Sequence, residues 1–332
     1  MNAVESTPRR VLVTGVAGFI GFHVAERLLQ DGATVLGMDS INNYYDVRLK
    51  DARLQQLSVR SGLTFEKVDV ADDQAVIAAF EKFRPQYVVH LAAQAGVRYS
   101  LTNPKAYARS NIDGFLSILE ACRSHPVRHL IYASSSSVYG TNAQVPFRET
   151  DPVEHPVSLY AATKRANELM AETYAHLFRV PASGLRLFTV YGPWGRPDMA
   201  YYSFTKAIIE GKPIDVFNHG RMQRDFTYID DVVEAIVRLI EAPPLTEGAA
   251  PPHVIYNVGN HTPIELDRFI NVIESAVGRT AERRYLPMQP GDVPATYADV
   301  RRLTAAVGFA PRTTIEHGIG QFVAWYRGHY GV

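Results

Sequence analysis

Short apolar runs alternate with amphipathic stretches through the first half of the chain, a rhythm that predicts strand–helix units around a parallel sheet. Arg10 to Thr14 (RVLVT) reads as a buried strand ending at Gly15, and FHVAERLL as the helix that follows, reaching about Leu29. Thr34 to Met38, Leu63 to Val68, Tyr87 to Leu91 and His129 to Ala133 repeat the short β-branched pattern. Gly184 to Val190 (GLRLFTV) reads as one continuous sixth strand. Between them, Ala106 to Cys122 has helical spacing at Ile112, Phe115, Ile118 and Leu119. A longer helix, introduced by Pro156 and Ser158, runs to about Phe178 with Leu159, Ala162, Ala166, Leu169, Met170 and Leu177 at helical intervals. Beyond Val190 the pattern loosens into an aromatic, Gly/Pro-rich loop (Tyr191 to Tyr202). A helix over Ser203 to Glu210, strands over Ile214 to Phe217 and Val254 to Val258, and helices over Leu266 to Val277 and Ile315 to His329 follow. NHGRMQRDFTYIDD reads as a loop, with Asp230 and Asp231 capping the helix VVEAIVRLIE.

The fold expectation is therefore α/β: a Rossmann-like, doubly wound parallel sheet with a smaller C-terminal α/β domain that binds substrate. Residues 1–190 would form the dinucleotide-binding part, 191–332 mainly the substrate part, and a segment around 225–260 would return to the first. Lys plus Arg and Asp plus Glu both number 34, so there is no electrostatic case for nucleic acid or an anionic membrane as the main partner. No apolar run approaches the ~18 residues of a membrane span, and MNAVESTPRR lacks an apolar signal-like region. The lone Cys122 excludes an intramolecular disulfide, reads as small helix filler and fits a cytoplasmic setting. No His/Asp/Glu spacing resembles a metal site, and His90, inside a strand, reads as a packed histidine.

The chemistry collects where these strands end. Gly15, Gly18 and Gly21 stand strand–turn–helix, so the backbone can turn sharply and approach a pyrophosphate at the helix N-terminus. Asp39 ends the second strand about 20 residues on, where a carboxylate accepts from ribose hydroxyls and repels a 2′-phosphate; that favours NAD over NADP. Phe19 and Ile20 in the same turn, Asp69–Val70 after strand three, and Leu91 with the small Ala92–Ala93 after strand four complete the cofactor candidates. Strand five delivers SSSSVYG (Ser134 to Gly140), followed by SLYAATK (Ser158 to Lys164). Tyr160 and Lys164, four apart, share one helix face, where an ammonium favours phenolate over phenol. An upstream serine hydroxyl could hold a substrate oxygen beside them. The same spacing also describes an ordinary helix face with a snorkelling lysine. Convergence on the carboxyl rim of an open sheet favours a site. Of Arg221 and Arg224, one could clamp a phosphate from a loop returning to that rim.

GVAGFIG, HLAAQAGVR, ASSSSVYG, YAATK, RLFTVYGPWGRPDMA, RDFTYIDD and QPGDVPATYAD occur in one order along nearly the whole chain. With them the chain resembles the extended short-chain dehydrogenase/reductases that act on nucleotide sugars, and looks closest to the UDP-glucuronate 4-epimerases. The resemblance implies NAD as cofactor, a UDP-sugar (UDP-glucuronate or UDP-galacturonate) as substrate, and a homodimer built on the helix after strand four and the tyrosine helix. It implies that Ser135, Tyr160 and Lys164 are catalytic, Lys164 keeping the tyrosine pKa low and holding the nicotinamide ribose. Ser136, Ser137, Thr189 and Arg196 would hold the sugar carboxylate, while Arg98 and Arg224 would also bind substrate, Arg224 at the diphosphate. Val216 and Phe217 would lie beside uracil and Asp292 near its ribose; Gln289 stands where galactose epimerases have arginine. Related dehydratases carry Asp and Glu at positions 136 and 137, and related decarboxylases Glu at 137, where this chain has serine. UDP-glucose or UDP-N-acetylglucosamine 4-epimerisation, UDP-glucuronate decarboxylation, and a non-catalytic dinucleotide sensor are the competing readings.

Overall fold

The computed structural model describes residues 8–142, 144–245, 248–289 and 293–332. In chain order β1 (Arg10–Thr14), α1 (Phe19–Gln30), β2 (Thr34–Asp39), α2 (Val47–Ser58), β3 (Leu63–Lys67), α3 (Asp73–Phe83) and β4 (Tyr87–His90) form one half of the main layer. Short helices α4 (Tyr99–Thr102) and α5 (Pro104–Tyr107) lead through a π-helical turn, Ala108–Asp113, into α6 (Gly114–Ser124). Then come β5 (His129–Ala133), a 3₁₀ turn Ser136–Tyr139, α7 (Leu159–Phe178), β6 (Ala182–Leu187) and β7 (Thr189–Tyr191). The remainder comprises α8 (Ala200–Glu210), β8 (Ile214–Val216), β9 (Gln223–Tyr228), α9 (Ile229–Ile240), β10 (His253–Val258), β11 (Pro263–Glu265), α10 (Leu266–Val277), β12 (Arg283–Tyr285), α11 (Arg301–Val307) and α12 (Ile315–Tyr330).

Seven strands pair in the order β10-β6-β5-β4-β1-β2-β3, every neighbour parallel. Helices cover both faces, which is why β1 and β4 read as continuous apolar runs and are buried throughout or nearly so. β3, at one edge, carries Glu66 and Lys67 and is largely exposed, as an edge strand that resists further pairing should be. The order reverses between β1 and β4, so the carboxyl ends flanking that switch point open a crevice. Smaller sheets, β11-β9-β7 and β12-β8, lie beyond it. The fold is the expected Rossmann-like one with a C-terminal α/β part.

Several local expectations change. The run 184–190 is not one strand: it breaks at Phe188, whose N–H bonds to Val258 O, and β7 leaves the main sheet to pair with β9. β9 itself lies where a loop was expected. The helix expected over 106–122 is interrupted by the π turn, where Asn111 accepts from Gln94 N and donates to Gln94 O and Thr163 Oγ1. That extra residue per turn swings one polar side chain between the loop after β4 and α7. Asp230 and Asp231 do not cap α9 through their side chains; Asp231 instead accepts from the N–H groups of Arg312 and Thr313. Val47–Ser58, Asp73–Phe83, Pro263–Glu265, Arg283–Tyr285 and Arg301–Val307 are elements the pattern left unassigned.

Candidate active site

A cavity of about 920 Å³ opens over the carboxyl ends of the strands and extends beneath β8, α8 and α10. It sits at the upper end of ordinary ligand cavities, ~300–1,000 Å³. Gly15, Gly18, Phe19, Ile20, Gly21, Asp39, Asp69, Val70, Leu91, Ala92 and Ala93 line one arm. Gly15 has φ 73°, and a side chain there would strike Ala92 N at 2.8 Å; a side chain at Gly21 would lie 2.1 Å from Gly15 O. Both therefore need glycine. The N-terminus of α1 carries no side-chain cap, so its first N–H groups face the cavity available to a pyrophosphate. Asp39 accepts from Ala17 N and Ile41 N, fixing its carboxylate at the rim. Asp69 pairs with Arg109 at 2.9 Å, and Val70 is buried against Gly114. These residues fit a dinucleotide: a glycine turn at a helix N-terminus, a close backbone approach and a carboxylate held at the cavity rim.

The middle of the cavity holds the catalytic candidates. Ser158 caps α7 by accepting from Ala161 N, which sets Tyr160 in the first turn and Lys164 one turn on. Ser135 stands two residues beyond β5, and its Oγ accepts from Ser137 N, capping the 3₁₀ turn of the serine run. Burial raises the Tyr160 pKa, against which the Ser135 hydroxyl and the Arg196 charge act to lower it. Lys164 is itself buried, donates to Ala133 O at 2.8 Å, and desolvation drops its own pKa to about 8. His90 is a packed histidine, bonded to Thr14 Oγ1 and pushed to about 3 by burial and by the charge of Lys164.

Ser136, Ser137, Thr189, Arg196, Arg98, Phe217 and Arg224 line the other arm. Arg98 lies over the Phe217 ring at 4.9 Å, joining the loop after β4 to the turn after β8. Arg224 faces the cavity from β9 and donates to Gln223 O and Pro294 O, whereas Arg221 stands outside the wall. Val216 is fully buried behind Phe217, gives its carbonyl to Leu286 N and does not line the cavity. Asp292 lies outside the described residues. Sequence reasoning missed Tyr44, Tyr45, Lys50 and Asp198, all in the cavity wall. Asp198 lies inside the quoted RPDMA motif, and Tyr44 and Tyr45 stand only five and six residues beyond Asp39; proximity to those motifs was the available signal.

The family model that matches residues 11–259 is that of the NAD dependent epimerase/dehydratase family. The chain belongs to this family. It is 48% identical to a probable UDP-glucuronate 4-epimerase of Rhizobium meliloti over 333 residues, covering 97% of this chain and 98% of the relative. UDP-glucuronate 4-epimerase 2 of Arabidopsis thaliana is 44% identical, over 96% of this chain and 76% of that one. The crystal structure of the UDP-glucuronic acid 4-epimerase of Bacillus cereus with UDP-glucuronic acid and NAD superposes with a TM-score of 0.89 at 31% identity, covering 97% and 100% of the two chains. The UDP-glucose 4-epimerase of Thermotoga maritima with UDP-glucose gives 0.87 at 29%, covering 97% and 99%.

Proposed function

We propose that this chain is an NAD-dependent UDP-glucuronate 4-epimerase, an isomerase that interconverts UDP-glucuronate and UDP-galacturonate. The observation that carries the reading is the wall around Tyr160: hydroxyls at Ser136, Ser137 and Thr189 and a guanidinium at Arg196, with no carboxylate at 136 or 137 to drive an elimination. Bound NAD supplies reversible hydride acceptance at the sugar C4. Tyr160, as phenolate, takes the C4 hydroxyl proton while Ser135 holds that oxygen. Lys164 would hold the nicotinamide ribose. The 4-keto sugar turns over within the cavity, takes the hydride on its other face and recovers a proton from Tyr160. Arg224 and Arg98 grip the diphosphate and Phe217 meets uracil, so the nucleotide stays while the sugar moves.

In the same reading, residues 1–190 with returning segments hold NAD and 191–332 mainly the UDP-sugar. The protein works as a homodimer through α6 and α7 and acts in the cytoplasm, where its one thiol, Cys122, stays buried and protonated. Among the described residues no helix is long and apolar enough to cross a membrane. Purified protein given UDP-glucuronate should yield UDP-galacturonate on chromatographic separation. Interconversion of UDP-glucose and UDP-galactose without uronate turnover, or UDP-pentoses as the main product, would overturn the assignment.

A further inference from the structure

Arg196 stands on a turn whose backbone is held from several sides. The fully buried Arg53 donates to Trp194 O, Gly195 O and Ala17 O, tying this turn to the glycine turn after β1. His23 bonds to Pro193 O, and the Trp194 ring packs between Phe22 and Trp325. From this rigid base Arg196 reaches Asp198 with one complete edge: Nε to Oδ1 at 3.0 Å and Nη2 to Oδ2 at 2.6 Å. Asp198 in turn accepts from Tyr44 Oη at 3.1 Å, on the segment that continues from Asp39. Arg–Asp contacts two residues apart, in the reverse order along the chain, occur at Arg48–Asp46 and Arg301–Asp299, but there the arginine is largely exposed. Only the Arg196 pair faces the sugar end of the cavity, close enough to Tyr160 for its charge to act on the phenol. A guanidinium has two bidentate edges, so fixing one fixes where the other points.

We propose that Asp198, steadied by Tyr44, is a positioning residue that aims the unengaged edge of Arg196 at the sugar carboxylate and thereby decides between epimerisation and decarboxylation. This rests on the uronate reading above. Once C4 is a ketone, the uronate is a β-keto acid. Decarboxylation breaks the C5–C6 bond, releases carbon dioxide and sends the electron pair to the C4 oxygen as an enolate; water then protonates C5, leaving a UDP-4-keto-pentose. Carbon dioxide is uncharged, so every ion-pair hydrogen bond to the carboxylate is lost along that path and opposes it. A guanidinium free to rotate would not hold the carboxylate at one angle to the ketone. Asp198 also neutralises Arg196, so it weakens the net pull on the uronate while sharpening its direction.

The test is product partition. Asp198→Ala, Asp198→Asn and Tyr44→Phe would each be incubated with NAD and UDP-glucuronate labelled in the carboxylate. Released carbon dioxide and UDP-pentoses would be compared with UDP-galacturonate. Losing the paired contacts should raise the decarboxylated share about tenfold in the two Asp198 variants, and less in Tyr44→Phe, with the affinity for UDP-glucuronate undiminished. The Asn variant, which keeps the side-chain volume, carries the test should the Ala variant not fold. An unchanged partition with merely slower turnover in the Asn variant would overturn the proposal and leave the substrate reading intact. Wild-type protein that leaves UDP-glucuronate unconverted would overturn both.

Discussion

Burying Lys164 costs the protein something that its chemistry needs. Its ammonium has one carbonyl partner in the described structure, and desolvation lowers its pKa from 10.5 to about 8. A base whose folded pKa lies below its unfolded value destabilises the fold wherever it is protonated. The full penalty holds below about pH 8 and fades as pH rises toward 10.5. A shift of that size corresponds to a penalty on the order of 3 kcal/mol. Lys164→Met should therefore melt higher than wild type at pH 7 and lose turnover. Its stability advantage, followed by denaturant titration, should shrink on going to alkaline pH; a pH-independent gap would refute the argument. Tyr160→Phe keeps the ring packed against Tyr107 and removes only the acid/base group. It should lower kcat by roughly 10²–10⁴-fold with NAD still bound, checked by cofactor retention on gel filtration. That Ser135, Tyr160 and Lys164 would meet in one cavity was legible from the Tyr-x-x-x-Lys spacing and the serine run. The raised tyrosine pKa was not, because it depends on burial that spacing does not reveal.

At the scale of elements, α7 is anchored by a buried ion pair. Glu168, one turn beyond Lys164, receives two hydrogen bonds from Arg186 of β6, at 2.8 and 2.9 Å, and a third from Ser134 at the end of β5. Both members of the pair are almost wholly buried, so removing Arg186 leaves the Glu168 carboxylate only Ser134 and the more exposed Arg165, at 3.0 Å, as partners. Arg186→Met should cost about 3–5 kcal/mol in denaturant unfolding, while Glu168→Leu/Arg186→Met together should recover much of it. Additive losses in the double variant would refute this coupling. Arg186 and Glu168 are ordinary charges to a sequence reader, and that explains the limits of the reading here. Strands β1 to β5 were legible because both faces of each pack under helices, or, for edge strand β3, because turn signals bound it. β9 was not: Asp225 looks like a loop residue, yet it is buried by accepting from the N–H groups of Asn260, His261 and Ala298, distant in sequence. The break at Phe188 was hidden because Leu187 before it and the β-branched Thr189 and Val190 after it continue one strand-like run. Each miss turns on a partner far along the chain.

For the molecule as a whole, α7 shows why an apolar stripe and a core face are not the same thing. The stripe seen in the sequence includes Leu169 and Leu177, but they are 53% and 61% exposed. The buried face is instead Ala161, Lys164, Glu168, Ala171 and Ala175, whose small members let the helix lie close to the sheet. Leu116 of α6 and Phe178 at the end of α7 are also exposed, and Tyr174 of α7 bonds to Glu120 of α6, so the two helices present neighbouring apolar side chains to solvent. Pairing α6 and α7 with the same helices of a second copy across a two-fold axis would cover these residues as a four-helix contact. The helix that carries Tyr160 and Lys164 would then be braced on its outer side as well, by a surface that takes no part in the chemistry. Sedimentation should therefore give a dimer, and its melting temperature should rise with protein concentration. Leu169→Glu/Leu177→Glu places charges in the contact and should yield a folded monomer whose melting no longer depends on concentration. A wild-type monomer at micromolar concentration would rule out the dimer. A double variant that stays dimeric would move the interface off α7, leaving the exposed leucines without that explanation.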